Sequence, residues 1–205
     1  AAVMLPKDYV RLRMTGELGT DVGGASGTLL WDVDERAWHE GMVEKSGIDP
    51  AWLPRALESC APAGAVTKAA AEALGLREGT PVMAGSGDNQ CGAVGAGVVE
   101  TGQVIATLGT SGVVYAHADA PRKDIGLSEG VAGRLHTMCS ATGSAQETGG
   151  WCVTGCMLSA AGSLQWAREK LFSQASYDEL LAEGGLYARF WSRQSGGFLR
   201  AEAAE

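Results

Sequence analysis

Pro81-Val82-Met83-Ala84-Gly85-Ser86-Gly87-Asp88-Asn89-Gln90-Cys91-Gly92, residues 81–92, is the stretch on which the reading of this chain turns. Val82-Met83-Ala84 is a short apolar run behind Gly79-Thr80-Pro81, which predicts a buried strand. The strand runs directly into glycines and a carboxylate, and small residues from about Gln90 to Val98 predict a helix after them. In α/β proteins ligands bind outside the carboxyl ends of the strands, and a carboxylate there sits on a rigid element. Asp88 occupies such a place. Two readings of it stand side by side. In one, Asp88 is a general base, Gly85, Gly87 and Gly92 let a ligand approach the backbone, and Asn89 bonds a sugar hydroxyl. In the other, Gly-Asp-Asn is a plain helix N-cap whose carboxylate takes the amides of the next turn.

Downstream, Gly102 to Leu108 and Val113 to His117 read as two strands joined by Gly109-Thr110-Ser111-Gly112, a β-hairpin by pattern. That turn offers consecutive N–H groups and two hydroxyls, a concavity suited to phosphate oxygens. The same residue types also make an ordinary tight turn. Leu135 to Cys139 reads as one more strand and Ala141 to Gly150 as a polar loop. Apolar residues at helical spacing from Cys156 to Phe172 predict the longest helix, and Tyr177 to Ala182 a final one.

Upstream, Lys7 to Met14 reads as a short amphipathic helix with apolar Tyr9, Val10, Leu12 and Met14, stopped by Gly16. Val22 to Thr28 is a run of small residues, Leu29 to Val33 an apolar segment, and Trp38 to Lys45 a helix ended by Gly47. Pro54 to Pro62 reads as irregular. Thr67 is placed to cap an Ala-rich helix from Lys68 to Leu74, with Gly75 just past its end.

Composition narrows the function classes. With 45% hydrophobic and 20% charged residues over 205 positions, the chain can bury a core and is not of disordered type. A net charge of −8 without a basic stripe argues against nucleic acid, and no apolar run reaches the roughly 20 residues of a membrane span. The start lacks the layout of a signal peptide, so a cytoplasmic address is expected. The cysteines at 60, 91, 139, 152 and 156 read as reduced core residues. Cys152 and Cys156 could share a helical face, yet no further ligands sit at usable spacing, and no metal site is expected of the chain's own residues. His39, His117 and His136 read as surface or strand residues, and Trp31, Trp38, Trp52, Trp151 and Trp166 as core or interface. Asp32, Asp34, Glu35 and Arg36 read as a solvated turn.

In order along the chain, Leu5-Pro6-Lys7-Asp8-Tyr9 with Thr15-Gly16-Glu17, Thr20-Asp21 through Thr28, Gly85 through Gly92, Gly109 through Gly112, and Met157 through Trp166 resemble the FGGY carbohydrate kinases, their xylulokinase members in particular. The resemblance covers roughly residues 3 to 184, and five ordered motifs are far more specific than one glycine motif. It implies an α/β, actin-like or ribonuclease H-like fold of two domains with substrates between them. Residues 1–80 would close the first, sugar-binding domain, 81–187 would open the second, nucleotide-binding one, and 188–205 would be an atypical tail. By this likeness Asp88 matches the catalytic base, Asn89 the neighbouring sugar-binding position, Gly109, Thr110 and Ser111 the second phosphate loop, and Ala161 and Gln165 the nucleotide contacts. Mg-ATP is the implied donor and D-xylulose the implied acceptor. A homodimer is allowed for the full-length enzyme.

The family's Asp-x-Gly-Thr phosphate hairpin is then expected upstream of Ala1 and its adenine-binding glycine motif downstream of Glu205. The chain is accordingly expected to be an internal part of a longer enzyme, inactive alone. A non-catalytic remnant of the same fold, or a kinase for ribulose or glycerol, are the alternatives. After Tyr187 the sequence leaves the family pattern, and the loop from Ser140 to Gly150 is longer than the pattern leads one to expect.

Overall fold

The computed structural model describes residues 1–122, 135–170, 178–179, 181–185 and 188–189. In chain order the elements are α1 (Pro6–Thr15), β1 (Thr20–Asp21), α2 (Val22–Ser26), β2 (Trp31–Asp32), β3 (Ala37–Trp38), α3 (Glu40–Ser46), a 3₁₀ turn (Pro50–Trp52), β4 (Ala56–Leu57), β5 (Pro62–Ala65) and α4 (Lys68–Leu74). They continue with β6 (Pro81–Met83), α5 (Asp88–Gly95), β7 (Val104–Leu108), β8 (Gly112–Ala118), β9 (Leu135–Cys139), β10 (Trp151–Met157) and α6 (Ala161–Lys170). The chain divides into two units, Ala1–Ile105 with Tyr115–Gly155, and Ala106–Val114 with the described residues from Cys156 onward.

In the first unit, β1 pairs with β4 in parallel and β5 with β6 antiparallel, while β2 and β3 form a small hairpin. Strands β7, β8, β10 and β9 lie side by side in that order, and the first unit holds all of β9 and most of β10. β9 and β10 are antiparallel, with Trp151 opposite Cys139 and Gly155 opposite Leu135. Small apolar clusters hold these pieces: Val22, Ala25, Trp31 and Cys139 form one, Ala93, Val98, Tyr115 and Cys152 another, and Val66, Ala70 and Ala71 a third.

Caps fall where the sequence puts them. Thr67 accepts the Ala70 N–H through its hydroxyl, and Gly16, Gly47 and Gly75 end their helices in the left-handed region, where a Cβ would be strained. Several expectations are corrected. The inward face of α1 is polar: Asp8, Arg11 and Thr15 are buried, while Tyr9 and Val10 are half exposed. Ala84 is buried, but the strand before it is largely exposed. The helix after it runs from Asp88 to Gly95, not from Gln90 to Val98. Trp38 lies on a strand, and α3 begins only at Glu40.

The helix expected from Cys156 begins five residues later, at Ala161, because Trp151–Met157 is a strand. Its aromatic and β-branched residues favour extended backbone, and Cys152 and Thr154 are buried between half-buried neighbours, the period-two signature of a strand. A metal pair on a helical face is thereby removed. Cys60, Cys91 and Cys156 are exposed, and only Cys139 and Cys152 are the buried thiols expected of all five. Trp52 and Trp166 are exposed. Pro54 to Pro62 includes β4, and Arg36 leaves its supposedly solvated turn to pair with Glu58. Leu171, Phe172 and Tyr177 lie outside the described residues, as does most of the tail.

Candidate active site

In the first unit the candidate base stands at the start of α5. Gly85 has a φ of 76°, which turns the chain sharply after Ala84 at a position where other residues would be strained. Gly87 is the N-cap and has no side chain to offer, so Asp88 lies one residue inside the helix; this corrects the N-cap alternative. Its carboxylate, on an exposed residue, accepts only the neighbouring Asn89 N–H among the bonds described, at 2.9 Å. A carboxylate in the first turn is also favoured by the amide dipoles of the helix. Asn89 is exposed beside it, and Gln90 is buried, with its amide nitrogen 3.4 Å from the sulfur of Met138.

The loop in front of Asp88 is held from several sides. The Ala84 and Gly85 amides donate to the carbonyls of Ala61 and Ser59, each at 2.9 Å. Ser86 packs against Gly23 so closely that a Cβ on Gly23 would fall 2.1 Å from the serine oxygen. Arg11, 5% exposed, donates from Nη1 to the Ala84 carbonyl and from Nη2 to the Gly19 carbonyl, both at 2.5 Å, and from Nη2 to Asp8 at 3.0 Å.

Two carboxylates are buried near this loop. Asp8 and Asp21 are 1% and 0% exposed, and a charge so placed is tolerated only when paired. Lys7 supplies the pairing to both, with Arg11 as a second partner for Asp8. Asp21 also caps α2 by accepting the Gly24 N–H at 2.7 Å. The sequence reading missed Lys7, Arg11, Asp21 and Gln90 as supports of the site. Asp8, Arg11 and Thr15 recur at helical spacing, and that polar stripe was the available signal.

In the second unit, the expected phosphate turn and the expected nucleotide contacts come together. The Ala160 and Gly162 amides donate to the Thr110 carbonyl at 2.8 and 3.1 Å, and the Ala161 amide to the Gly109 carbonyl at 3.2 Å, so the turn docks on the start of α6. Gly162 eases this approach, since a Cβ there would meet the Thr110 methyl and carbonyl at a tight 3.1 and 3.2 Å. Gly109, Thr110 and Ser111 are exposed; Ala161 is buried, and Gln165 is exposed one turn along α6.

The mixed helix-and-sheet chain has solved structural neighbours that are sugar kinases of the actin-like fold. Residues 1–95, a little under half of the chain, match the FGGY family of carbohydrate kinases, N-terminal domain. The chain is 38% identical over 184 residues to the xylulose kinase of Escherichia coli (strain K12), a match that takes in 88% of this chain and 34% of that protein. Among solved structures it resembles the xyloylose kinase of Brucella ovis at 31% identity with a TM-score of 0.75, covering 88% of this chain and 35% of the other. The Plasmodium falciparum glycerol kinase with ADP, at 19% identity and a TM-score of 0.73 over 89% of this chain and 35% of the other, shares the fold. The chain spans about a third of the length of the curated relatives it matches.

No described helix is long and apolar enough to cross a membrane. Among the described residues no group of three or more His, Cys, Asp or Glu side chains could hold a metal ion.

Proposed function

We propose that this sequence works in the cytoplasm as part of a longer kinase that phosphorylates a ketopentose, D-xylulose by preference, with ATP. In this reading residues 1–80 close the sugar-side domain and residues 81–187 open the nucleotide-side domain. The observation that carries it is the exposed Asp88 carboxylate, placed one residue inside α5 behind a glycine turn. Magnesium is the expected companion of the nucleotide, and among the described residues no group of three or more His, Cys, Asp or Glu side chains could hold it.

Asp88 takes the proton of the acceptor hydroxyl as that oxygen bonds to the γ-phosphorus and the bond from phosphorus to the bridging β-oxygen breaks, releasing ADP. Asn89 orients the sugar by its amide. Bound ATP supplies the transferred phosphoryl group. Thr110 and Ser111 offer two hydroxyls and two backbone amides on an exposed turn, the donors that charge on phosphate oxygens requires. Ala161 and Gln165 line the nucleotide's side of the same helix start.

The test is Asp88→Asn in an intact kinase that carries this sequence, read as ADP release with D-xylulose. Loss of a general base costs ~10²–10⁴ in rate. Nucleotide affinity is expected to stay within twofold. Undiminished turnover overturns the assignment.

A further inference from the structure

We propose that Arg11 is the positioning residue of this site: its guanidinium fixes the backbone from which Asp88 projects. The inference rests on the reading of Asp88 as the base, and its support is geometric. Arg11 comes from α1, 73 residues before Ala84, yet its Nη1 donates to the Ala84 carbonyl at 2.5 Å. Three residues separate Ala84 from Asp88, and they are the turn Gly85-Ser86-Gly87. Glycines give a turn of this kind little stiffness of its own, so its geometry has to be imposed from outside.

Arginine is suited to impose it. The planar fork presents several N–H groups in fixed directions, and here Nη1 and Nη2 reach the Ala84 carbonyl, the Gly19 carbonyl and Asp8 at once. Gly19 precedes β1, which leads into the Asp21 cap of α2, so one side chain ties α1, the approach to α2 and the approach to α5 together. Among the described residues the Arg11 Nε finds no acceptor. A buried cation that leaves one N–H unsatisfied is poorly explained by charge neutralisation alone, for which Lys7 already serves Asp8. Satisfaction of two backbone carbonyls explains it. Lysine, a point charge on a flexible four-carbon stem, cannot hold all three acceptors in one plane.

The experiment uses the intact kinase that carries this sequence, with Arg11→Met, Arg11→Lys, Asp8→Asn and Asp88→Asn. In Arg11→Met, hydrogen exchange over residues 84–89 is expected to rise at least about tenfold, the change that loss of a charge-assisted hydrogen bond brings, with α4 exchanging as before. Turnover is expected to fall by about 10- to 100-fold at an unchanged nucleotide KM, since the base is misplaced and binding is not. Arg11→Lys restores part of the turnover. Asp8→Asn keeps both Arg11 carbonyl bonds and leaves exchange at 84–89 unaltered. If Arg11→Met does not fold, Arg11→Lys is read for the same two quantities. Exchange at 84–89 that matches the parent overturns the inference, and so does raised exchange with full kcat. Full turnover by Asp88→Asn instead sinks the base assignment, and the exchange result then still decides whether Arg11 holds the loop.

Discussion

Arg36 grips both carboxylate oxygens of Glu58, Nε on Oε1 and Nη2 on Oε2, each at 2.8 Å. The same guanidinium lies 5.1 Å from the ring centroid of Trp151 and reaches the Gly150 carbonyl at 3.3 Å, while Glu58 also accepts the Gly149 N–H at 3.3 Å. Two segments far apart in sequence, the β2–β3 turn and the end of the loop before β10, are thus joined through one carboxylate after β4. The pair is largely shielded, with side-chain exposures of 11% and 17%, so water screens it weakly. Glu58→Gln is expected to cost about 1–3 kcal/mol, seen as a lower urea midpoint with an unchanged slope. In an Arg36→Met background the same change is expected to cost much less. Additive costs would mean that the two side chains act separately.

The pattern explains what could and could not be read in advance. Caps and turns are local: Thr67 with Ala70, and Gly16, Gly47 and Gly75 in left-handed backbone, depend on residues within a turn of each other, and the sequence showed them. So was the hairpin around Gly109–Gly112, whose turn chemistry lies in four consecutive residues. What failed depended on distant partners. α1 turns Arg11 inward because the carbonyls of Gly19 and Ala84 accept from it, and Asp8 follows as its ion-pair partner; nothing within α1 announces those carbonyls. β10 is a strand because β9 lies alongside it, whereas the apolar spacing that begins at Met157 invited the helix to be extended backwards. Asp88 and Asn89 stand out in the sequence as candidates, whereas the network that holds their loop does not.

The five thiols separate into two groups by environment, which a labelling experiment can count. Cys60, Cys91 and Cys156 are exposed, whereas Cys139 and Cys152 are fully buried. Burial pushes the Cys152 thiol up to about 11, and burial likewise raises Cys139, so almost no thiolate forms at either site near pH 8. Iodoacetamide on the native protein at that pH is expected to add label at the three exposed positions and, after denaturation in urea, at all five cysteines. Early label on Cys152, found by mass spectrometry of its peptide, would contradict the buried β10 strand.

His117 gives stability a pH dependence of defined sign. It is 8% exposed on β8, its Nδ1 has no hydrogen-bond partner among the described residues, and burial lowers its pKa from the ordinary 6.5, with the nearby Asp119 charge opposing but not cancelling that shift. Between the lowered folded value and 6.5 the unfolded chain binds more protons than the folded one, so stability falls as pH falls through this window and levels off below it. Above pH 6.5 the group is neutral in both states and contributes no slope. His117→Gln removes the titration, so the stability lost between pH 7 and pH 5, measured by urea unfolding, is expected to be smaller than in the parent. Carboxylates contribute equally to both proteins over that range and cancel in the comparison. Equal slopes for parent and variant would mean that the imidazole at 117 is as well solvated when protonated as in the unfolded chain, contrary to its 8% exposure.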